Sequence, residues 1–249
     1  VHTFGSNPAM VGNKAVAFFK GMREQGVMAC AKNFYVSGAA IMGGHGEVPL
    51  LSVDTALISP FKKLVHHGVQ AIMPAPADLP LFYEHRGLIK KNKLSANAIT
   101  SVYAGQWLKN ILQFDGLVIL DMPGTHSMNN RYRSGDAEAL AFKAGNHMLV
   151  APKDIASSIK KIKKLLGREP ALYQRLDSAV KKILLAKYRA GLFARDSVNI
   201  NTVKTNLNSA GAAMLNWNLH EQSITAVRNE GVLPVVNLDN KTFTCVSPD

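Results

Sequence analysis

The sequence predicts an α/β fold built on a parallel sheet, and three observations carry that expectation. Short unbroken apolar runs alternate along the chain with segments of helical periodicity. The runs lack the in–out polar alternation of a half-solvated strand, so they read as strands covered on both faces, as parallel strands between helices are. Each run also stops abruptly: "ACAKN" at Lys32 and Asn33, "AIMPAP" at Pro74 and Pro76, and "LVILDMPG" at Asp121.

Taken in order, the elements follow from local chemistry. Pro8 to Gln25 reads as a helix, with Asn7 able to cap it and Pro8 suited to its first position. Val11, Ala15, Phe18, Phe19 and Met22 form its predicted apolar face, and Gly26 ends it. "VMACAKNF" is the first strand, with Cys30 read as a small buried hydrophobe. A Gly-rich loop from Ser37 to Glu47 follows, then a helix from Pro60 to His67. "VQAIMPA" is the second strand, ended by prolines that cannot donate to a ladder. A helix from Asn97 to Leu112 leads into "LVILD", the third strand. "GDAEALAFKAG" is a short helix and "HMLVAP" the fourth strand. Two amphipathic helices close the series, Lys153 to Leu166 and Pro170 to Ala190. Four such units suit a doubly wound sheet or half of a (β/α)8 barrel, and no GxGxxG turn follows any strand.

Composition narrows the function. Apolar residues at 47% and charged residues at 18% of 249 describe a chain with a sizeable core rather than a disordered one. No apolar run reaches membrane-spanning length, and "VHTFGSNP" carries no targeting pattern. The absence of an initial Met suggests a mature or cut chain. Two cysteines make no disulfide framework, and without CxxC or HExxH spacing no metal site is expected. The net charge of +12 raises nucleic acid as a partner. Its lysines, however, gather in "KDIASSIKKIKKLLGR", where Ile155, Ile159, Ile162, Leu165 and Leu166 recur at helical spacing. Lys160, Lys161, Lys163 and Lys164 then fall mostly on the other face, the pattern of a solvated surface or of attraction to an anionic polymer or membrane. No aromatic-interleaved basic motif supports nucleic acid.

Beyond these general features, "FGSNPAMVGNKAVAFFKGMREQGVMACAKNF" strongly resembles family 3 glycoside hydrolases, in particular the bacterial β-N-acetylhexosaminidase branch. There a similar helix leads into a strand ending K-H-F-P-G-H-G-D-T-x-x-D-S-H-x-x-L-P. Laid on this chain without a gap, the pattern places its lysine on Lys32, its final histidine on His45 and its proline on Pro49. "SPFKKLVHHGVQAIMPA", "LSANAITSVYAGQWLKNILQFDGLVILDM", "AEALAFKAGNHML" and "LHEQSITAVRNEGVLPV" match further family segments in the same order.

The resemblance implies a (β/α)8 barrel of TIM type of which this chain supplies the last four βα units, over residues 1–195. A linker and helix over 196–234 and the first strand of an α/β sandwich domain over 235–249 would follow. It implies retaining hydrolysis of terminal β-linked N-acetylglucosamine or glucose, with Asp121 as nucleophile and His45 as acid/base. Lys32, Asn33 and Lys109 take the positions of substrate-binding residues. No cofactor is implied. The partners implied are carbohydrate, such as peptidoglycan fragments or β-glycosides, and a further barrel half supplied by the same protein or another chain. A periplasmic or cell-envelope setting is favoured over the cytoplasm.

The departures gather at the site. Asn33 replaces the sugar-binding His, Gly43 the Asp that orients the catalytic His, Lys109 an Arg and His147 an Asp. A lysine cannot reproduce the planar bidentate fork of an arginine. Core kept and site eroded also fits a relative that binds sugar or serves as a scaffold without turnover.

Overall fold

The computed structural model describes residues 4–34, 55–74, 108–109, 112–122, 133–194, 199–231, 233–236, 239, 242 and 244. The chain divides into two units, 1–194 and 195–249.

In the first unit, helix α1 (Pro8–Glu24) leads to strand β1 (Cys30–Phe34), and α2 (Thr55–His66) leads to β2 (Ala71–Pro74). Strand β3 (Leu117–Asp121) is followed by α3 (Asp136–Lys143) and β4 (Met148–Val150). Helices α4 (Ile155–Arg168) and α5 (Leu172–Arg189) complete the unit. The strands form one parallel sheet in the order β1-β2-β3-β4, so each neighbour is the next strand in sequence. Sequential parallel order with intervening helices is the arrangement of a (β/α)8 barrel; a doubly wound sheet would reverse direction.

Local signals explain the first helix well. The Asn7 side-chain oxygen accepts from the amides of Ala9 and Met10 at 3.0 and 3.1 Å, and Pro8 occupies the first turn where its missing N–H costs nothing. Its buried side is Gly12, Val16 and Phe19, and the predicted Phe18 is exposed. The rotation comes from α2: a β-carbon at Gly12 would lie 3.3 Å from Lys63 and 3.4 Å from the Pro60 backbone, so the helices cross there. Helix α2 itself begins at Thr55, upstream of the expected Pro60, so Pro60 lies inside the helix and forgoes one backbone bond there.

One core lies between the sheet and these helices, with Val16, Phe19, Phe34, Ile58, Leu64, Ile72 and Val118 buried together. Phe34 meets Phe61 edge-on, with ring centroids 5.0 Å apart. A second, smaller cluster joins Leu120 and Met122 to Ala137 and Ala141 of α3. Fully burying one such side chain contributes about 1.5–3 kcal/mol, so these contacts dominate the unit's stability.

The second unit contains α6 (Ile200–Leu207), capped by Asn199, and α7 (Ala210–Ser223), capped by Ser209. All residues of these two helices except Val203 are exposed. Most of "TFTCVS", expected as a strand, lies outside the described residues.

Candidate active site

Alternation along the strands sorts their residues onto two faces. Val118, Leu120 and Met122 belong to the helix-packed clusters, so Leu117, Ile119 and Asp121 point the other way, into the barrel's concave side. On β2, Ile72 is fully buried under the helices, which assigns Met73 to the concave side. On β1, Ala29 and Ala31 pack against the core, leaving Cys30 and Lys32 on the concave face. Both are exposed there, which corrects the reading of Cys30 as a buried hydrophobe. An apolar run signals burial, but the side chain that covers each residue is a matter of tertiary structure.

A bulge then re-aims the end of β1. Lys32 pairs with Met73 and Phe34 with Pro74, so Asn33 is an extra residue in the ladder, with φ of 66°. Asn tolerates this left-handed conformation better than most residues. In a regular strand, residues 32 and 34 would share one facing. With the bulge, Lys32 faces the concave side while Phe34 drops into the helix-side core, 2% exposed.

Asp121 closes β3, half-buried, beside Val150 of β4. The register sets Met73 level with Ile119, which places Asp121 two residues beyond Lys32 and two strands away. At about 4.8 Å between strands and about 3.3 Å per residue, their Cα atoms stand about 12 Å apart. The strand end therefore presents a carboxylate and an ammonium on one face, at the end of the sheet where barrels carry out chemistry.

Lys109 falls elsewhere. Lys109 is exposed and acts on the carboxyl of Asp115, which precedes β3. Asp115 lies six residues before Asp121, about 20 Å along an extended strand. Lys109 therefore sits toward the opposite end of the sheet from Lys32 and Asp121. His45, with the rest of residues 35–54, lies outside the described residues.

The N-terminal end of the sheet is held by polar locks that sequence patterns do not announce. The Lys182 ammonium donates to the Asp115 side chain and backbone carbonyl, each at 2.7 Å, and holds that carboxyl below the usual carboxylate range. His147 binds Val118 twice: its amide donates to the Val118 carbonyl at 2.8 Å, and its Nδ1 accepts from the Val118 amide at 2.9 Å. An accepting Nδ1 requires a neutral ring with its proton on Nε2. Burial, followed by Lys182 and Arg175, pushes the His147 pKa down to about 4, with Asp115 opposing. A cleft of about 430 Å³ lies at this end, bordered by Arg23, Gln70, Asp115, Lys182 and Arg189. It opens at the end of the strands remote from Asp121 and is separate from the candidate site. Among the described residues, no grouping of three or more His, Cys, Asp or Glu could hold a metal ion.

The signature of the Glycosyl hydrolase family 3 N terminal domain matches residues 1–186. The chain belongs to glycosyl hydrolase family 3. Among its family 3 relatives, a β-xylosidase of Formosa agariphila is 25% identical, the match covering 99% of this chain and 35% of that protein. A β-hexosaminidase of Hydrogenovibrio crunogenus is 28% identical over 61% of this chain and 41% of its own length. The chain thus spans little more than a third of these relatives. Among solved structures, the β-glucoside phosphorylase BglX superposes with a TM-score of 0.77 at 23% identity, over 94% of this chain and 44% of that one. The β-N-acetylglucosaminidase from Paenibacillus sp. str. FPU-7 follows at 0.73 and 23%, over 92% and 43%. These likenesses establish the family 3 barrel fold, and the four parallel βα units are a part of it.

Proposed function

We propose that this chain carries the nucleophile-bearing side of a retaining glycosidase pocket, for terminal β-linked N-acetylglucosamine or glucose in substrates such as peptidoglycan fragments. The observation that carries the reading is the Asp121 carboxylate at the C-terminal end of β3, on the same face as Lys32. In this reading an Asp121 carboxylate oxygen attacks the anomeric carbon as the bond to the leaving oxygen breaks. His45 gives that oxygen a proton. Water, deprotonated by the same imidazole, then displaces Asp121 and restores the β-configuration. Lys32 donates to sugar hydroxyls, and Asn33 at the bulge takes the neighbouring position. The same reading assigns residues 1–195 to the barrel, 196–234 to a linker and helix, and 235–249 to the start of an α/β domain.

Trapping tests it. The full-length protein is incubated with an activated 2-fluoro glycoside, and the adduct is located by peptide mass spectrometry, beside hydrolysis of chromogenic β-N-acetylglucosaminide and β-glucoside. A labelled Asp121 peptide, with turnover lost in Asp121→Asn, supports the proposal. A label on another carboxylate overturns it.

A second reading follows from residues 33 and 43, where Asn and Gly stand in place of the family's His and Asp. Without its orienting carboxylate an imidazole loses orders of magnitude as a base. A sugar-binding subunit without turnover would bind the monosaccharide, release no chromophore and form no adduct.

A further inference from the structure

Helix α4 turns aliphatic and cationic side chains outward together. Its inner side packs Ser158 and Leu166, both buried, toward α3, and Lys161 pairs with Asp136 at 2.5 Å. The apolar stripe read from the sequence does not all follow. Ile155 is 64% exposed and Ile159 50%, along the edge of the buried side, with Leu166 between them in projection down the axis. Lys160, Lys163, Lys164 and Arg168 are exposed as well, and none has an acidic partner among the described residues. At 100° per residue, the positions from Ile155 through Ile159, Lys163 and Lys160 to Lys164 sweep an arc of about 180°. Carboxylates beside this arc are already engaged. Asp154 caps the helix through the Ser157 amide, and Glu169 pairs with Lys143 at 2.6 Å.

We propose that this face of α4 docks the protein on an anionic phospholipid surface. Charge complementarity selects an anionic partner: three lysines lie in this arc, Arg168 borders it, and the helix contains no acidic residue. The isoleucines select lipid over a dissolved polyanion, because a hydrated polymer offers no apolar phase for two aliphatic side chains. The cations are mainly lysines, whose flexible stems let ammonium groups reach phosphates while their methylenes lie along an apolar boundary. Neither the stacking aromatics nor the arginine forks of nucleic-acid recognition accompany them.

Vesicle co-sedimentation tests the proposal, with phosphatidylglycerol/phosphatidylcholine vesicles beside pure phosphatidylcholine. At low salt the protein should pellet with the anionic vesicles alone. Changing Lys160, Lys163 and Lys164 together to Gln should weaken binding by about 100-fold, roughly five-fold per lysine. The triple Arg variant should retain it. Ile155→Ser with Ile159→Ser should weaken vesicle binding while retention on a soluble anionic polysaccharide stays unchanged, and circular dichroism should show an unaltered fold in each variant. No pelleting, or equal pelleting by the wild type and the triple Gln variant, overturns the proposal. So does an isoleucine pair whose loss leaves vesicle binding intact, which would make the face a polyanion site instead.

Discussion

The two ends of the sheet are built on different principles. At the N-terminal end, side chains are committed to holding strands: Lys182 ties α5 to Asp115, and His147 closes the gap between β3 and β4 at Val118. At the C-terminal end, the polar groups of Lys32 and Asp121 stand on an open concave face. The division teaches that a sheet can concentrate its structural polar bonds at one of its ends. The other end is then free to carry groups chosen for chemistry.

The contrast can be broken most severely at the C-terminal end. Asp121→Asn should reduce glycoside turnover by about 10⁴-fold or more while leaving the thermal midpoint unchanged. A large loss of stability would mean the carboxylate holds structure after all.

The opposite outcome is expected at Gly116. A β-carbon there would lie 2.5 Å from the Gln70 carbonyl oxygen and against the Phe114 ring. Gly116→Ala should therefore cost about 1–3 kcal/mol, read by urea unfolding, without altering the affinity for a sugar bound at the other end. Lys182→Met should cost less, about 1 kcal/mol, since it removes charge-assisted bonds to a carboxylate that is itself 90% exposed.

The smallest effect sharpens the comparison through pH. The folded pKa of His147 lies below its unfolded value of 6.5, at about 4, so the neutral ring is the stabilising form. Its contribution is complete above pH 6.5 and is lost as pH falls through about 4. Partial exposure of the ring limits the effect to about 2–4 °C in Tm over that interval. A His147→Gln variant should show a shallower decline across the same range, measured by thermal melts.

Much of this was legible in the sequence. The four strands, the Asn7 cap and the terminal position of Asp121 follow from apolar runs, a capping residue and a proline stop, all of them local features. What escaped depends on groups far apart in the chain. The exposure of Phe18 is decided by where α2 crosses α1, and the exposure of Ile155 and Ile159 by how α4 meets α3. Lys109 matches the family's motif in order, yet its place at the far end of β3 depends on the direction in which the chain enters the strand. The bonds from Lys182 to Asp115 span 67 residues, beyond the reach of any periodicity. The bulge adds one residue to a ladder whose partner strand is 40 residues away, and parity arguments fail beyond it.

That bulge carries an evolutionary consequence. Its positive φ is a conformation that Asn, Asp and His all enter more readily than other side chains, and the family's residue at position 33 is a histidine. An exchange between the two can rewrite the hydrogen-bonding and titration properties of this strand end while the strand keeps its course. Functional drift at this point meets little structural resistance in either direction.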